Sequence, residues 1–379
     1  MPLIYLVAGE QSGDILGARL MQALAAARPD MRFAGVGGAA MQAAGLASLF
    51  PMQELALMGL LEVLPRVWHL RRRLAETLAD IQAQRPDVVV TIDSPGFTLR
   101  VLRGLAGSGL RRVHYVAPQV WAWREHRVRH YGSLWDQLLC LLPFEPPFFA
   151  GHGLPATFVG HPVLESGADQ GDADRFRGRH GLPSDARLLT MLPGSRRTEV
   201  RRMLPLFQAV LQRLPPDLTP VMPTVPTVAE TVRAAAQAWP IRPILVTETA
   251  DKHDAFAASA AALTKSGTSA LELAMAGLPM VVTYKVHPLT AAIVRRTVKV
   301  RFASLINIIA DREVVPELIQ ADATPDRVAA ALRPLLTDPA QAAAQRAASH
   351  AVLDSLRPGA LRPSEAAAAA VLELLIPRG

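Results

Sequence analysis

The sequence predicts an α/β protein of two doubly wound domains, their parallel sheets facing a central cleft, followed by a helical C-terminal tail. Three observations predict it. Short apolar runs alternate with longer helical patterns along nearly the whole chain, which implies right-handed βαβ units. The 379 residues exceed one ordinary core, so two domains of about 150 to 200 residues are expected. Polar, glycine-containing loops follow strands in both halves, and the carboxyl ends of parallel strands are where an open sheet presents groups to a ligand.

In the first half, strands are expected at Leu3 to Ala8, Arg32 to Val36, Val88 to Asp93, Val113 to Ala117, Leu138 to Leu142 and Thr157 to Val159. Helical spacing of Ile15, Leu16, Leu20 and Leu24 marks a helix over Asp14 to Ala27. After Gly160-His-Pro162 the composition changes. Glu165 to Ala186 is rich in Gly, Asp and Arg and poor in large apolar residues, so the first domain is expected over 1–164. Leu188 to Leu192 restarts the alternation. Pro220 to Met222, Ile244 to Val246, Ala262 to Thr264 and Pro279 to Tyr284 continue it, with helices at Glu199 to Leu214 and Ser269 to Ala276. The second domain is expected over 165–340. From Thr324 the chain is Ala/Leu-rich and helical, broken at Pro358 and Pro363, and the helices of 341–379 are expected to pack back on the first domain or on a partner subunit.

A formal charge of +7 favours an anionic partner: a nucleotide, a phosphorylated substrate or an acidic membrane surface. Nucleic acid is not expected, because no helix-turn-helix, zinc-finger or aromatic RNA-binding signature accompanies the basic residues. The single cysteine, Cys140, lies in the apolar run Leu138 to Leu142 and reads as core. The N-terminus lacks a basic signal-peptide region, and no window reaches the roughly 18 apolar residues of a spanning helix. A cytoplasmic protein with peripheral membrane contact at most is expected. His114, His161 and His287 read as structural, and neither they nor the His126/His130 pair has a metal-ligand setting, so no metal and no cofactor are expected.

Four segments carry candidate chemistry. In Val89-Val-Thr-Ile-Asp93-Ser-Pro-Gly-Phe97, a carboxylate ends a strand before a Pro-Gly turn; Asp93 reads equally as a helix cap or as a site acid. In Gly9-Glu-Gln-Ser-Gly-Asp14, Gly13 and Asp14 suit a tight turn and a capped helix, whereas Glu10 and Ser12 suit substrate contacts. In Pro193-Gly-Ser-Arg-Arg-Thr-Glu199, Gly194 permits close approach, Ser195 donates, and Arg196 offers a charge-assisted fork to a diphosphate. Arginines at a helix start oppose the macrodipole, which favours a bound anion there. In Thr264-Lys-Ser-Gly-Thr-Ser-Ala-Leu-Glu272, Ser266, Gly267 and Thr268 offer backbone N–H groups to phosphate; Glu272, one turn on, suits ribose hydroxyls or plain solvent. Met58 to Leu74 and Val286 to Leu305 pair apolar stripes with basic flanks, as helices at a lipid surface do, and as core helices also do.

Taken together, these segments resemble the lipid-A-disaccharide synthases, a family of inverting glycosyltransferases. The resemblance also takes in Phe33-Ala-Gly-Val-Gly-Gly38, Met58-Gly-Leu-Leu-Glu-Val-Leu64, His114-Tyr-Val-Ala-Pro-Gln-Val-Trp-Ala-Trp-Arg124, Leu142-Pro-Phe-Glu145, Val159-Gly-His-Pro162 and Ser304-Leu-Ile-Asn307. It implies the GT-B architecture of two Rossmann-like domains, acceptor in the first and UDP-sugar in the second. It implies transfer from UDP-2,3-diacylglucosamine to 2,3-diacylglucosamine 1-phosphate at the inner face of the bacterial cytoplasmic membrane, giving a β(1→6) tetraacyl disaccharide 1-phosphate and UDP. Asp93 then matches the family's proposed base, Arg196 its diphosphate arginine and Asn307 a polar residue near the donor; Glu10, Ser12, Gly13 and Met58 fall to the acceptor. Gly96 stands where many members carry aspartate, and Ile306 where many carry proline. The alternatives are another GT-B UDP-sugar enzyme, either a lipid-directed N-acetylglucosaminyltransferase or an epimerase, and a non-catalytic nucleotide-sugar-binding module. A homodimer stays open.

Overall fold

The computed structural model describes residues 1–55, 63–123, 125–287 and 300–375. Two units emerge: Met1–Pro162 together with Leu356–Gly379, and Val163–Ser355.

The first unit is built on six parallel strands: β1 (Leu3–Ala8), β2 (Arg32–Val36), β3 (Val88–Ile92), β4 (Arg111–Tyr115), β5 (Gln137–Cys140) and β6 (Ala156–Phe158). Their order is β2-β1-β3-β4-β5-β6. Every residue of β1 and β3 is buried, as strands covered on both faces require. Helix α1 (Gln11–Ala27) packs beside α2 (Ala39–Ala43), and α3 (Val63–Gln84) packs beside α4 (Pro95–Gly104). Short helices α5 (Val120–Trp123) and α6 (Glu145–Ala150) follow β4 and β5.

Helix α1 begins at Gln11, earlier than the Asp14 start expected from the Ser-Gly sequence. Its glycines are set by close packing: a Cβ on Gly13 would lie 3.3 Å from the Ile92 carbonyl oxygen, and one on Gly17 2.5 Å from Met41 Sδ. Asp14 therefore does not cap its own helix. Buried at the foot of α1, its carboxylate accepts the N–H groups of Gly38, Ala40 and Met41 at 2.8, 2.9 and 3.0 Å and so caps α2.

The second unit repeats the plan with β7 (Arg187–Leu192), β8 (Leu218–Pro223), β9 (Ile244–Val246), β10 (Ser259–Lys265), β11 (Met280–Tyr284) and β12 (Glu317–Ile319), in the order β12-β11-β10-β7-β8-β9. Helices α7 (Ala173–His180), α8 (Arg197–Leu211), α9 (Pro226–Ala236), α10 (Thr249–Ala258) and α11 (Ser269–Met275) connect the strands. The alanine-rich tail is shared out. Helix Pro339–Ser355 belongs to the second unit, whereas Pro363–Glu373 lies against α1, with Ala367, Ala368 and Val371 in the first core. Composition groups both helices as one tail because their small apolar faces look alike.

Each sheet reverses its strand order once, between β1 and β3 in the first and between β7 and β10 in the second. The crevice outside the carboxyl ends of such a strand pair is where an open α/β sheet takes its ligand.

Candidate active site

At the first reversal, β1 runs into Gly9-Glu10 and β3 into Asp93-Ser94. Asp93 and Ser94 both hold left-handed backbone, with φ of 49° and 45°. That conformation costs an L-residue roughly 1–2 kcal/mol and is easiest for Asp and Asn. Local bonds hold it: Asp93 N–H donates to Tyr115 O at 2.9 Å, and Thr98 Oγ1 donates to the carbonyls of Asp93 and Ser94 at 2.6 and 3.0 Å. Gly9 is required alongside, since a Cβ there would lie 2.5 Å from Ser94 Oγ. Ser94 occupies the cap position of α4, which frees Asp93 from capping. Its half-buried carboxylate instead accepts Ser12 Oγ at 3.3 Å.

Ser12 and Asp93 are thus brought together, and Glu10 is exposed at the cap position of α1 beside them. Gly13 is buried against β3, a packing position. Met58 lies outside the described residues. At Gly96 an added Cβ meets nothing within 4 Å.

Two buried titratable groups flank this end of the sheet. Glu145 accepts the N–H groups of Leu141 and Leu142 at 3.1 and 3.0 Å and Trp121 Nε1–H at 3.1 Å. Burial pushes its carboxyl up to about 7, against the pull of those donors. His114 is sealed beside Trp135, its Nδ1 2.8 Å from Thr91 Oγ1, and burial pushes it down to about 3. It is a structural histidine.

The second reversal opens a cleft of about 220 Å³ lined by Gly194, Ser195, Thr224, Lys252, Lys265, Gly267, Thr268 and Glu272, with Pro223, Val225 and Phe256 as its apolar wall. Gly194 turns the chain at φ 125°, and a Cβ on it would lie 2.9 Å from Glu199 Oε2. Arg196 stands at the cap position of α8, 79% exposed, with Nη1 3.5 Å from Glu199 Oε1; it does not line the cleft itself. Glu272 receives Lys252 Nζ on both oxygens at 3.1 Å.

Two expected donor residues have side chains committed within the chain. Ser266 turns its hydroxyl away to donate to Ala303 O at 2.8 Å. Asn307 is fully buried and fully bonded, so its side chain has nothing left for a ligand. Its Oδ1 accepts the N–H groups of Val314 and Val315, and its Nδ2 donates to Val315 O and Glu317 Oε1. Glu317 in turn accepts the N–H groups of Ala303 and Ser304 at 2.8 Å. Asn307 therefore clamps the chain that backs Ser266. Ile306, at the second position of helix Leu305–Ala310, sits where proline is also tolerated. Sequence reasoning missed Thr224, Lys252, Lys265 and Phe256; a lysine's Nζ lies several bonds from its Cα, and no local pattern encodes where it ends.

Of the two segments read as basic and amphipathic, 56–62 and 288–299 lie outside the described residues, among them Arg295, Arg296 and Lys299. Trp68 is 73% exposed with Arg71 5.6 Å from its ring centre. Arg73 is not a free surface cation: it binds Glu54 at 2.7 Å and Glu76 at 2.6 Å and stacks on Phe50. Among the described residues no helix is long and apolar enough to cross a membrane, and no three of His, Cys, Asp and Glu gather as a metal site.

Solved structures share this fold. The glycosyltransferase of kitacinnamycin aligns with a TM-score of 0.66 at 17% identity, over 99% of this chain and 100% of that one. UDP-GlcNAc 2-epimerase from Neisseria meningitidis, bound to UDP-GlcNAc, aligns with a TM-score of 0.65 at 11% identity, over 99% of both chains. At such identities the likeness shows the GT-B fold alone. Sequence goes further. The lipid-A-disaccharide synthase of Gluconobacter oxydans is 56% identical over 98% of this chain and 91% of its own, and that of Granulibacter bethesdensis is 54% identical over 99% of both. Residues 4–371 match the family model for lipid-A-disaccharide synthetase. The chain belongs to the lipid-A-disaccharide synthetase family.

Proposed function

We propose that this glycosyltransferase of lipid A biosynthesis joins UDP-2,3-diacylglucosamine to 2,3-diacylglucosamine 1-phosphate, forming the β(1→6) tetraacyl disaccharide 1-phosphate and releasing UDP. One observation supports the reading above others: the carboxylate and the arginine that the chemistry needs lie in the loops that follow β3 and β7, at the reversal points of the two sheets. A sugar hydroxyl is a weak nucleophile. Asp93 accepts its proton as the oxygen attacks the anomeric carbon, and Ser12 orients the carboxylate. A single displacement inverts that carbon. The departing UDP gathers charge on its diphosphate, which Arg196 and the backbone N–H groups around Gly194, Ser195, Gly267 and Thr268 stabilise. Glu272 receives the ribose hydroxyls, and Asn307 acts at a distance by holding the Ala303 chain against Ser266.

Mass spectrometry of the product from the two diacyl sugars tests the reading. A tetraacyl disaccharide 1-phosphate and stoichiometric UDP are expected; equal turnover of an unacylated UDP-sugar sinks it. The acylated substrates also argue for work at the inner face of the cytoplasmic membrane, with exposed Trp68, Arg71 and Arg72 meeting anionic lipid. Flotation with anionic vesicles at rising salt checks this, and no association at low salt refutes it.

A further inference from the structure

We infer that Lys265 is a ligand of the donor's diphosphate, positioned by Glu199; this rests on the donor reading of the cleft. Lys265 ends β10, and its chain crosses the following turn so that Nζ lies 3.7 Å from where a Gly267 Cβ would be. It lines the cleft from that position. Glu199 Oε1 holds the ammonium at 3.3 Å from below, and the Tyr284 ring lies 5.0 Å away. Two contacts, the carboxylate and the ring, thus fix one end of a long flexible side chain, and fixing it in advance lowers the entropy lost when a ligand arrives.

Glu199 is the feature that calls for explanation. A carboxylate 9% exposed beneath the Gly194 turn places negative charge where a diphosphate is to bind, and its Oε2 has no hydrogen-bond partner. Arg196 reaches the same carboxylate at 3.5 Å, yet Arg196 is 79% exposed. Lys265, with a side chain only 21% exposed, is the fixed cation of the pair. Glu199 is therefore a positioning residue. It aims a lysine across the turn, and an arriving phosphate gains a charge-assisted contact at little reorganisation.

Titration calorimetry with UDP, UMP and uridine tests the inference on the full chain. Lys265→Met is expected to weaken UDP about 10- to 100-fold, UMP less, and uridine not at all, as loss of a charged hydrogen bond predicts. Lys265→Arg is expected to restore part of the loss. Removing the lysine alone leaves Glu199 less compensated, so the double variant Lys265→Met/Glu199→Gln separates the two roles. If Lys265 binds phosphate, the double variant stays weak for UDP. If Lys265 merely neutralises Glu199, the double variant regains wild-type affinity and the inference falls. An unchanged UDP-to-uridine ratio in Lys265→Met also overturns it while leaving the donor reading intact. A wild-type protein that binds none of the three ligands overturns both.

Discussion

The two reversal points share a topology and differ in every chemical respect. At β1/β3 the turn is made by non-glycine residues held in left-handed backbone and locked by a neighbouring glycine. At β7/β10 the glycine itself makes the turn, at φ 125°, and the space beside it opens into a cleft. The first loop fixes one carboxylate beside one hydroxyl; the second surrounds a cavity with two lysines and an adjacent arginine. A proton acceptor needs one oxygen at one angle, which backbone strain supplies. A diphosphate needs several donors and room, which glycine turns and cations supply. In the proposed mechanism the corresponding edge of each sheet takes a different part of the displacement.

The strongest way to break this division is Asp93→Asn, which keeps shape and cannot accept the proton. Turnover is expected to fall about 10²- to 10⁴-fold with UDP affinity unchanged. Near-normal turnover in a steady-state assay removes Asp93 from the mechanism, and a parallel loss of UDP affinity removes the division.

Arg196→Ala is the mirror experiment on the second loop. UDP binding is expected to weaken by about 1.5–3 kcal/mol by calorimetry, and lysine is expected to rescue poorly because it lacks the planar fork. Unaltered UDP affinity would return Arg196 to the solvated start of α8.

The glycines sharpen the contrast at smaller amplitude. Gly9→Ala drives a methyl into Ser94 and is expected to displace the Asp93 turn, lowering kcat while sparing UDP affinity. Gly194→Ala sets a side chain on backbone at φ 125° against Glu199, and is expected to cost about 1–3 kcal/mol of stability and to weaken UDP. If both substitutions change the same parameter, the two loops do not have separate duties.

Eleven of the twelve described strands are legible as short runs of β-formers, most plainly β1 and β3, which are buried throughout; β12, a three-residue edge strand opening on Glu317, carries no such signal. The start of α1 was not legible, since Ser-Gly looks like a turn until Ile92 is seen to need a glycine against it. In the site, Asp93 before Ser-Pro-Gly and Ser195 after Pro-Gly announce themselves through the turns they occupy. Asn307, which the resemblance places near the donor, is held by four bonds within the chain, and that clamp is not legible in the sequence. Arg73 misleads, a basic residue in a basic run that closes on Glu54 and Glu76.

The last expected effect is on stability and appears only as pH changes, and it too divides the units, for the groups displaced to about 7 and about 3 both lie in the first. Glu145 is raised in the fold, so between about 4.5 and 7 the folded state holds a proton the unfolded chain has lost, and stability falls as pH rises. His114 is lowered, so between about 3 and 6.5 the unfolded chain holds the extra proton, and stability rises with pH. The Glu145 slope opposes the His114 slope from about 4.5 to 6.5, and buried His161, pushed down to about 4, adds to the His114 side. Glu145→Gln removes the first of these slopes. Its amide faces Trp121 Nε1–H and costs stability at every pH, so the slope is the readout and not the level. Against wild type, the variant is expected to gain up to about 3 kcal/mol in denaturant unfolding as pH rises from 4.5 to above 7, the equivalent of a shift from 4.5 to about 7. Parallel pH profiles for the two proteins would mean that Glu145 titrates in the fold as it does in the open chain, and that burial beneath Trp121 does not govern it.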